Sequence, residues 1–368
     1  MRVTLISKAC ILGAYQTKLE QIAGHDDIEL SVVVPPYWIE NGNRLDLERS
    51  HTRGYDLVVS PLAFNGRYHL HFYPRLSSVL RQTQPDICHI DEEPYNMATY
   101  LAARAARRGG AKCLFFSWQN IMRRYPLPFA AMERAVYRWA SCAIAGNQDA
   151  LAVLRSKGYD GGAKVIPQFG VDPSLFRPHQ SRSGTRPFTI GFAGRFVPEK
   201  GLDTLIDAVE NLGGEWRLLL IGDGPLRGHI EERLSRGGLD ARTTSLSRVP
   251  STDMPRHLGA MDVLVLPSID QPNWREQFGR ILIEAMACET PVIGSQAGEI
   301  PNVIGSAGLT FSQGDADQLR EQLASLQGDA SLRQSLGRLG RERVMAYYTQ
   351  AHVAEATVAV YRRLSGTD

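Results

Sequence analysis

The sequence predicts an α/β protein made of two Rossmann-like domains facing each other across a cleft, with a last helix crossing back to the first domain. Three observations carry this. Short β-rich runs alternate with amphipathic segments, a Pro-rich polar stretch interrupts that rhythm near the middle, and the same rhythm then restarts. Apolar strands joined by crossover helices make parallel sheets covered on both faces. A chain of 368 residues is long enough to bury two cores.

In the first domain, residues 1–170, the strand-like runs are 3–6, 28–34, 57–59, 87–90, 113–116 and 143–145, with helical patterns such as 95–107 and 128–139 between them. Residues 171–187 contain Val171-Asp-Pro-Ser-Leu-Phe-Arg-Pro178 and then a polar run to Pro187, the composition of a linker. The second domain, 188–349, repeats the alternation with runs at 188–192, 217–221, 241–246, 263–266 and 291–294. From Asp315 onward the pattern is helical, and residues 350–368 are long enough to return to the first domain. In open parallel sheets the ligand lies outside the carboxyl ends of the strands, so two such domains present two opposed crevices and suit a two-substrate reaction.

Composition narrows the class. A 43% hydrophobic, 22% charged chain with 34 Gly and 20 Pro is an ordinary globular protein with many tight connections. The net charge of +2 gives no field that selects nucleic acid, so no such partner is expected. Cys10, Cys88, Cys113, Cys142 and Cys288 are odd in number, scattered and adjacent to apolar runs, which suits buried thiols in a reducing compartment. No apolar run approaches the roughly 20 residues that span a bilayer. Met1 leads straight into a strand-like run without signal-peptide architecture, so a cytoplasmic enzyme is the expectation.

The chemistry-bearing motifs follow strands. Gly191-Phe-Ala-Gly-Arg195 ends the first strand of the second domain, and Pro198-Glu-Lys-Gly201 precedes a helix at 202–212. Arg195 and Lys200 thus share one strand-to-helix loop, where two cations and helix-terminal amides can hold a diphosphate. A turn with solvated charges accounts for these residues equally well. Gly222-Asp-Gly-Pro225 is a tight turn with proline opening a helix, and such turns often do nothing more.

More specific is Leu264-Val-Leu-Pro-Ser268 followed by Arg275-Glu-Gln-Phe-Gly-Arg-Ile-Leu-Ile-Glu-Ala-Met-Ala287. A strand ends at Pro267, and a polar loop leads through Phe278-Gly279 into a helix whose first turn carries free N–H groups. Glu284 lies deeper, among Ile281, Leu282, Ile283, Ala285 and Met286. A lone carboxylate there needs donors, and vicinal ribose hydroxyls are natural ones. A solvent-facing glutamate is the other reading, which the apolar neighbours disfavour.

Arg195 and Lys200, Glu276-x7-Glu284, Phe278-Gly279, Glu284-Ala-Met-Ala287, Thr290-Pro-Val-Ile293 and the turn Gly298-Glu-Ile-Pro301 resemble the retaining family 4 (group 1) glycosyltransferases of the GT-B fold. The resemblance covers essentially the whole chain and is densest between residues 191 and 302. It implies transfer of a hexose-type sugar from a UDP- or GDP-sugar to an acceptor hydroxyl with retained configuration, without a metal or other cofactor. Glu284 would bind the donor ribose, Arg195 and Lys200 the diphosphate, and the amides around Gly279, Arg280 and Ile281 the phosphates and developing charge. Glu276 would lie by the transferred sugar, and the backbone near Arg248 and Val249 would hold the base. Gly194 and Gly222 fall in the turns bordering the donor. The loop Ser268-Ile-Asp-Gln-Pro-Asn-Trp-Arg275 is longer than the family's usual connection, which makes the sugar end of the site individual.

In the first domain Leu12-Gly-Ala-Tyr15 takes the place of the family's glycine-rich loop, with Gly13 its only glycine. Tyr15 and Lys18 are acceptor-side candidates, although a lysine on a helix surface is the ordinary case. Phe116-Ser-Trp-Gln-Asn120 puts Gln119 where the family often has a histidine; glutamine can bond a sugar hydroxyl but cannot titrate. In His89-Ile-Asp-Glu-Glu-Pro-Tyr95, Asp91, Glu92 and Glu93 line the acceptor side or simply favour a helix N-terminus. Asp315-Ala-Asp317 matches a metal-binding D-x-D, but an N-cap explains it better and no catalytic metal is expected. Arg123-Arg124-Tyr-Pro-Leu-Pro-Phe129 fits either a peripheral contact at the inner membrane face or a solvated loop; its shortness favours the loop.

The expected partners are a nucleotide-sugar donor and a carbohydrate, lipid-linked or small-molecule acceptor. The rival readings are a nucleotide-sugar epimerase or phosphorylase-like enzyme of the same fold, a nicotinamide oxidoreductase, and a non-catalytic sugar-nucleotide-binding paralogue. The oxidoreductase lacks its G-x-G-x-x-G after the first strand. The intact Arg195, Lys200, Glu276 and Glu284 argue against the paralogue.

Overall fold

Continuous apolar runs such as Val3–Ile6 cannot face water on either side, and the sheets they form are parallel and covered on both faces. The computed structural model describes residues 1–40, 42–178, 186–247 and 249–366. The chain divides into two compact units, Met1–Gly170 with Gln350–Asp368, and Val171–Thr349.

The first unit runs β1 (Arg2–Ile6), α1 (Gly13–Ala23), β2 (Glu29–Val34), β3 (Tyr37–Glu40), β4 (Asn43–Asp46), β5 (Asp56–Val59), α2 (Leu76–Thr83), β6 (Ile87–Ile90), α3 (Met97–Arg108), β7 (Lys112–Ser117), α4 (Phe129–Trp139), β8 (Cys142–Ala145), α5 (Gln148–Ser156) and β9 (Gly162–Val165). Its main sheet has the order β5-β2-β1-β6-β7-β8-β9, in register with Leu5 beside Val32 and His89. The hairpin β3-β4 and the edge strand β9 are additions to the strands expected from sequence. All five cysteines are buried and unbridged, and burial pushes the Cys10 and Cys88 thiols up to about 12.

The second unit runs β10 (Phe188–Ala193), α6 (Leu202–Glu210), β11 (Trp216–Ile221), α7 (Arg227–Arg236), β12 (Thr243–Leu246), α8 (Met254–Ala260), β13 (Val263–Leu266), α9 (Arg280–Ala287), β14 (Val292–Ser295), α10 (Ile300–Ile304), β15 (Leu309–Phe311), α11 (Ala316–Gly328) and α12 (Ala330–Tyr347). Its sheet order is β12-β11-β10-β13-β14-β15. The expected strand at 241–246 is shortened because Asp240–Arg242 forms a 3₁₀ turn, and β15 is again an edge strand not anticipated. Of the expected linker, residues 179–185 lie outside the described residues. Val171 and Phe176 are buried in the second unit's core, and the Val171 amide donates to the Tyr348 carbonyl at 2.8 Å.

The last helix, α13 (Gln350–Ser365), belongs to the first unit. Val353, Ala354, Thr357, Val358 and Tyr361 form one buried stripe at helical spacing, laid against α1. Tyr361 places its hydroxyl 2.6 Å from His89 Nδ1, and burial drives that imidazole down to about 3, so it is neutral. Arg362 closes the outer end on Asp27 at 2.8 Å. Docking of this helix is therefore both apolar and polar.

Candidate active site

In the second sheet the strand order reverses between β10 and β13, the place where doubly wound sheets take ligands at their carboxyl edge. The loops after β10, β13 and β14 converge there. Two glycines make that convergence tight. Gly201, at φ +64°, passes so close to the β13 loop that an added Cβ would sit 1.9 Å from the Pro267 carbonyl oxygen. Gly298, at φ +46°, lies against Glu276, whose carbonyl oxygen an added Cβ would meet at 2.2 Å.

This packing brings together residues that are far apart in sequence. Lys200 Nζ lies 2.5 Å from Glu276 Oε2, and the same oxygen accepts from Ser268 Oγ at 2.9 Å. Ser268 is fixed in turn by Ser295, whose hydroxyl donates to its carbonyl at 2.5 Å. The Glu299 amide donates to the Glu276 carbonyl at 3.0 Å, tying the residue to the Gly298 turn. Lys200 also lies over the Trp274 ring at 5.1 Å. Trp274, in the loop between Ser268 and Arg275, is a site residue that sequence reasoning did not single out. Its backbone pairs with Gln271 across a tight turn, and nearby the Asp270 amide donates to Gln313 at 2.7 Å.

Gly279 caps α9, and Glu284 is buried on it. It is not the lone carboxylate expected: Arg280, one turn earlier, reaches its Oε1 with Nε at 2.7 Å. Helical i,i+4 spacing makes that pairing automatic once the helix forms. Burial pushes the Glu284 carboxyl above its usual range, and Arg280 opposes the shift. Its second oxygen has no hydrogen-bond donor among the described residues. Arg195 is exposed and has no ion-pair partner among the described residues. Phe278 packs edge-on against Tyr348 at 5.6 Å, Ile281 and Val249 border the apolar core, and Arg248 lies outside the described residues. Gly194 and Gly222 follow neighbouring strands β10 and β11. Arg227, also not anticipated, donates to the Gly222 carbonyl at 2.6 Å and fastens that turn.

Residues 187–329 match the family model for "Glycosyl transferases group 1", and residues 23–167 match the "Glycosyl transferase 4-like domain". The chain belongs to the group 1 (family 4) glycosyltransferases. It is 31% identical over 215 residues to the alpha-maltose-1-phosphate synthase of Mycolicibacterium smegmatis, covering 55% of this chain and 51% of that protein. The chain thus spans about half the length of such curated relatives. Among solved structures it resembles the sucrose-phosphate synthase of Thermosynechococcus elongatus, with a TM-score of 0.74, 21% identity and 100% of both chains covered. It also resembles Anabaena Alr3699/HepE in complex with UDP and glucose, with a TM-score of 0.72, 17% identity, and 99% and 100% of the two chains covered. These likenesses fix the fold as GT-B.

In this group 1 chain the first unit's candidates are mostly engaged. The Gly13 amide already donates to Glu48 Oε2 at 2.6 Å. Lys18 is buried rather than on the helix surface, donating to the Gln168 carbonyl at 2.8 Å, while Tyr15 stacks on Phe169 at 3.8 Å. Gln119 accepts from Lys157 at 3.0 Å and donates to the Ile121 carbonyl at 3.2 Å. Lys157 is itself ion-paired with Glu133 at 2.6 Å, a buried pair that the sequence did not disclose. Glu92 is buried and paired with Lys8 at 2.5 Å; burial opposes its charge, but Lys8 and His71 hold its carboxyl down to about 2. Glu93 is half-buried, accepting from Ser117 Oγ at 2.8 Å and from the Trp118 amide at 2.7 Å.

The remaining motifs have structural roles. Asp315 caps α11 by accepting from the Gln318 amide at 2.9 Å, and Asp317 pairs with Arg320 at 2.6 Å, so the cap reading of the D-x-D holds. In residues 123–129, Tyr125 stacks on Tyr95 at 4.1 Å, while Leu127 is exposed. Among the described residues no helix is long and apolar enough to cross a membrane.

Proposed function

We propose that the protein is a retaining, metal-independent glycosyltransferase that moves a hexose-type sugar from a UDP- or GDP-sugar to an acceptor hydroxyl. The observation that carries this is the charge arrangement at the strand-order reversal of the second unit. There, the loops after β10 and β13 carry Arg195, the Lys200–Glu276 pair and the first amides of α9, and α9 also carries the buried Glu284; among the described residues Arg195 has no ion-pair partner and one Glu284 oxygen has no donor. Arg195, Lys200 and the amides of Gly279, Arg280 and Ile281 hold the diphosphate, and the spare Glu284 oxygen accepts from the ribose hydroxyls. Glu276 contacts the transferred sugar and keeps Lys200 in place.

In the reaction the bond from the anomeric carbon to the diphosphate oxygen breaks and the acceptor oxygen bonds to the same carbon. The charge that develops on the leaving oxygen meets cations and amides already in position, which is where such a site gains its rate. The acceptor's proton passes to the departing phosphate, attack coming from the face the phosphate leaves. The Anabaena neighbour in complex with UDP and glucose supports the UDP-sugar reading, and the Mycolicibacterium relative named for maltose-1-phosphate synthesis supports a hexose as the transferred group.

The test is a panel of UDP-, GDP- and ADP-hexoses scored by thermal shift and turnover, with the product anomer assigned by NMR. A UDP- or GDP-sugar is expected to stabilise the protein and be transferred with its anomeric configuration kept, with and without EDTA. An inverted product would overturn retention, loss of turnover in EDTA would overturn metal independence, and silence across the panel would overturn the donor.

A further inference from the structure

The first unit's sheet also reverses its strand order, between β1 and β6, and a cavity of about 380 Å³ opens there at the carboxyl edge. That is toward the small end of the ~300–1,000 Å³ range of ligand pockets, the size for one or two sugar-sized rings. Its lining includes the aromatic rings of Tyr95, Phe116 and Trp118 and the charged side chains of Asp91, Glu92, Glu93 and Lys8.

The charges of this lining do not balance. Lys8 is committed to Glu92, which His71 also approaches at 3.3 Å. Asp91, nearly fully buried, accepts among the described residues only from Ser7 Oγ at 2.7 Å and Gln168 Nε2 at 2.9 Å. Glu93 accepts among the described residues only from Ser117 and the Trp118 amide. Lys18 is bonded to the Gln168 carbonyl, and Lys157, 5.9 Å from the centre of the Tyr95 ring, is paired with Glu133. Among the described residues no cation is within ion-pair distance of Asp91 or Glu93. Burial accordingly pushes the Glu93 carboxyl up to about 7, with the field of Lys8 acting against the shift. A carboxylate withdrawn from water without a counter-charge is costly, and two of them lining an open aromatic cavity await a positive group from outside. The second unit's site behaves differently, since there Glu276 and Glu284 each have a cation of the chain's own.

We propose that this cavity binds an acceptor carrying a protonated amine, of the amino-sugar or aminocyclitol class. Asp91 and Glu93 receive the ammonium through charge-assisted hydrogen bonds, and the aromatic residues of the lining take the apolar face of the ring. An N-acylated amine has neither the charge nor the donors for this site, and a hydroxyl in its place leaves the two carboxyls as unmatched as before. That the bound ring is the acceptor rests on the glycosyl-transfer reading; that the cavity selects an amine does not.

The experiment is calorimetric titration of the full chain with D-glucosamine, N-acetylglucosamine and glucose, with a parallel UDP and GDP titration on the same samples. Wild type is expected to bind glucosamine at least about tenfold more tightly than either neutral sugar, and Asp91→Asn and Glu93→Gln to remove that preference without altering nucleotide binding. Equal binding of the three sugars, or no binding of any, would overturn the inference, as would an undiminished preference in both variants. The comparison of three sugars on wild type needs no variant to fold. Nucleotide binding without amine selectivity would sink this inference alone, whereas amine selectivity without nucleotide binding would sink the donor reading and leave the cavity's preference standing.

Discussion

The two carboxyl edges are built on the same parallel topology, yet they handle charge in opposite ways. In the second unit the two glutamates of the site are each answered by a cation of the chain, Glu276 by Lys200 and Glu284 by Arg280, and Arg195 has no ion-pair partner among the described residues. Of the three carboxylates at the first unit's carboxyl edge only Glu92 is so answered among the described residues, and Asp91 and Glu93 rest on neutral donors. One edge therefore has positive charge to offer a diphosphate, and the other has negative charge to offer an amine. The lesson is that strand order locates the sites while a few side chains decide their sign.

The largest effect is expected from breaking the pairing in the second unit. Lys200→Ala removes a cation from the diphosphate and the ammonium that faces Glu276, so kcat should fall by about 10²–10³-fold. Steady-state kinetics with the active donor checks this, and a fall of less than about threefold would mean that the pair is only structural.

A smaller effect is expected at Glu284. Glu284→Ala deletes a charged acceptor for the ribose, worth about 1.5–3 kcal/mol, or roughly a ten- to hundredfold rise in the donor's KM. Since that contact is made equally before and during transfer, kcat should change little. An unchanged KM would remove Glu284 from the donor site.

The smallest effect separates the two edges by pH. Glu93 titrates near 7 in the folded protein against an ordinary 4.5, so between those values the folded state holds a proton that the unfolded state has lost. Stability contributed through this group must then fall as pH rises from about 4.5 to about 7 and level off above it. Thermal unfolding across that window should show the decline in wild type and a flatter profile in Glu93→Gln. Superimposable profiles would mean that Glu93 is not held protonated.

Much of the second unit's site was legible because its parts follow strands in order. Gly194-Arg195 and Pro198-Glu-Lys-Gly201 follow β10, and Glu276 with Phe278-Gly279 opens α9. What local pattern could not disclose is who pairs with whom. Lys200 and Glu276 are 76 residues apart, and Gln168 reaches Asp91 across 77. Such partnerships arise only when separate loops meet. The Arg280–Glu284 pair carries a local signal in its i,i+4 spacing, which the expectation of a lone carboxylate overlooked. Buried Lys18 carries none, because a lysine's position on a helix says nothing about the segment that later covers it, here Gln168 and Phe169. The strands β9 and β15 escaped notice as short edge strands, β9 being only half-buried along its length. The hairpin β3-β4 does have a sequence signal, the Asn41-Gly42 dipeptide between two short runs.

The central claim, that the reversal point of the second sheet is a diphosphate site, is tested most directly by titrating UDP and GDP into wild type and Arg195→Ala. Arg195 is exposed and carries no ion pair within the described residues, so its removal should leave the fold intact. One of the two nucleotides is expected to bind wild type, and the variant to bind it about ten- to hundredfold more weakly, the loss of a charge-assisted contact to phosphate. Equal affinity in the two proteins would contradict the claim.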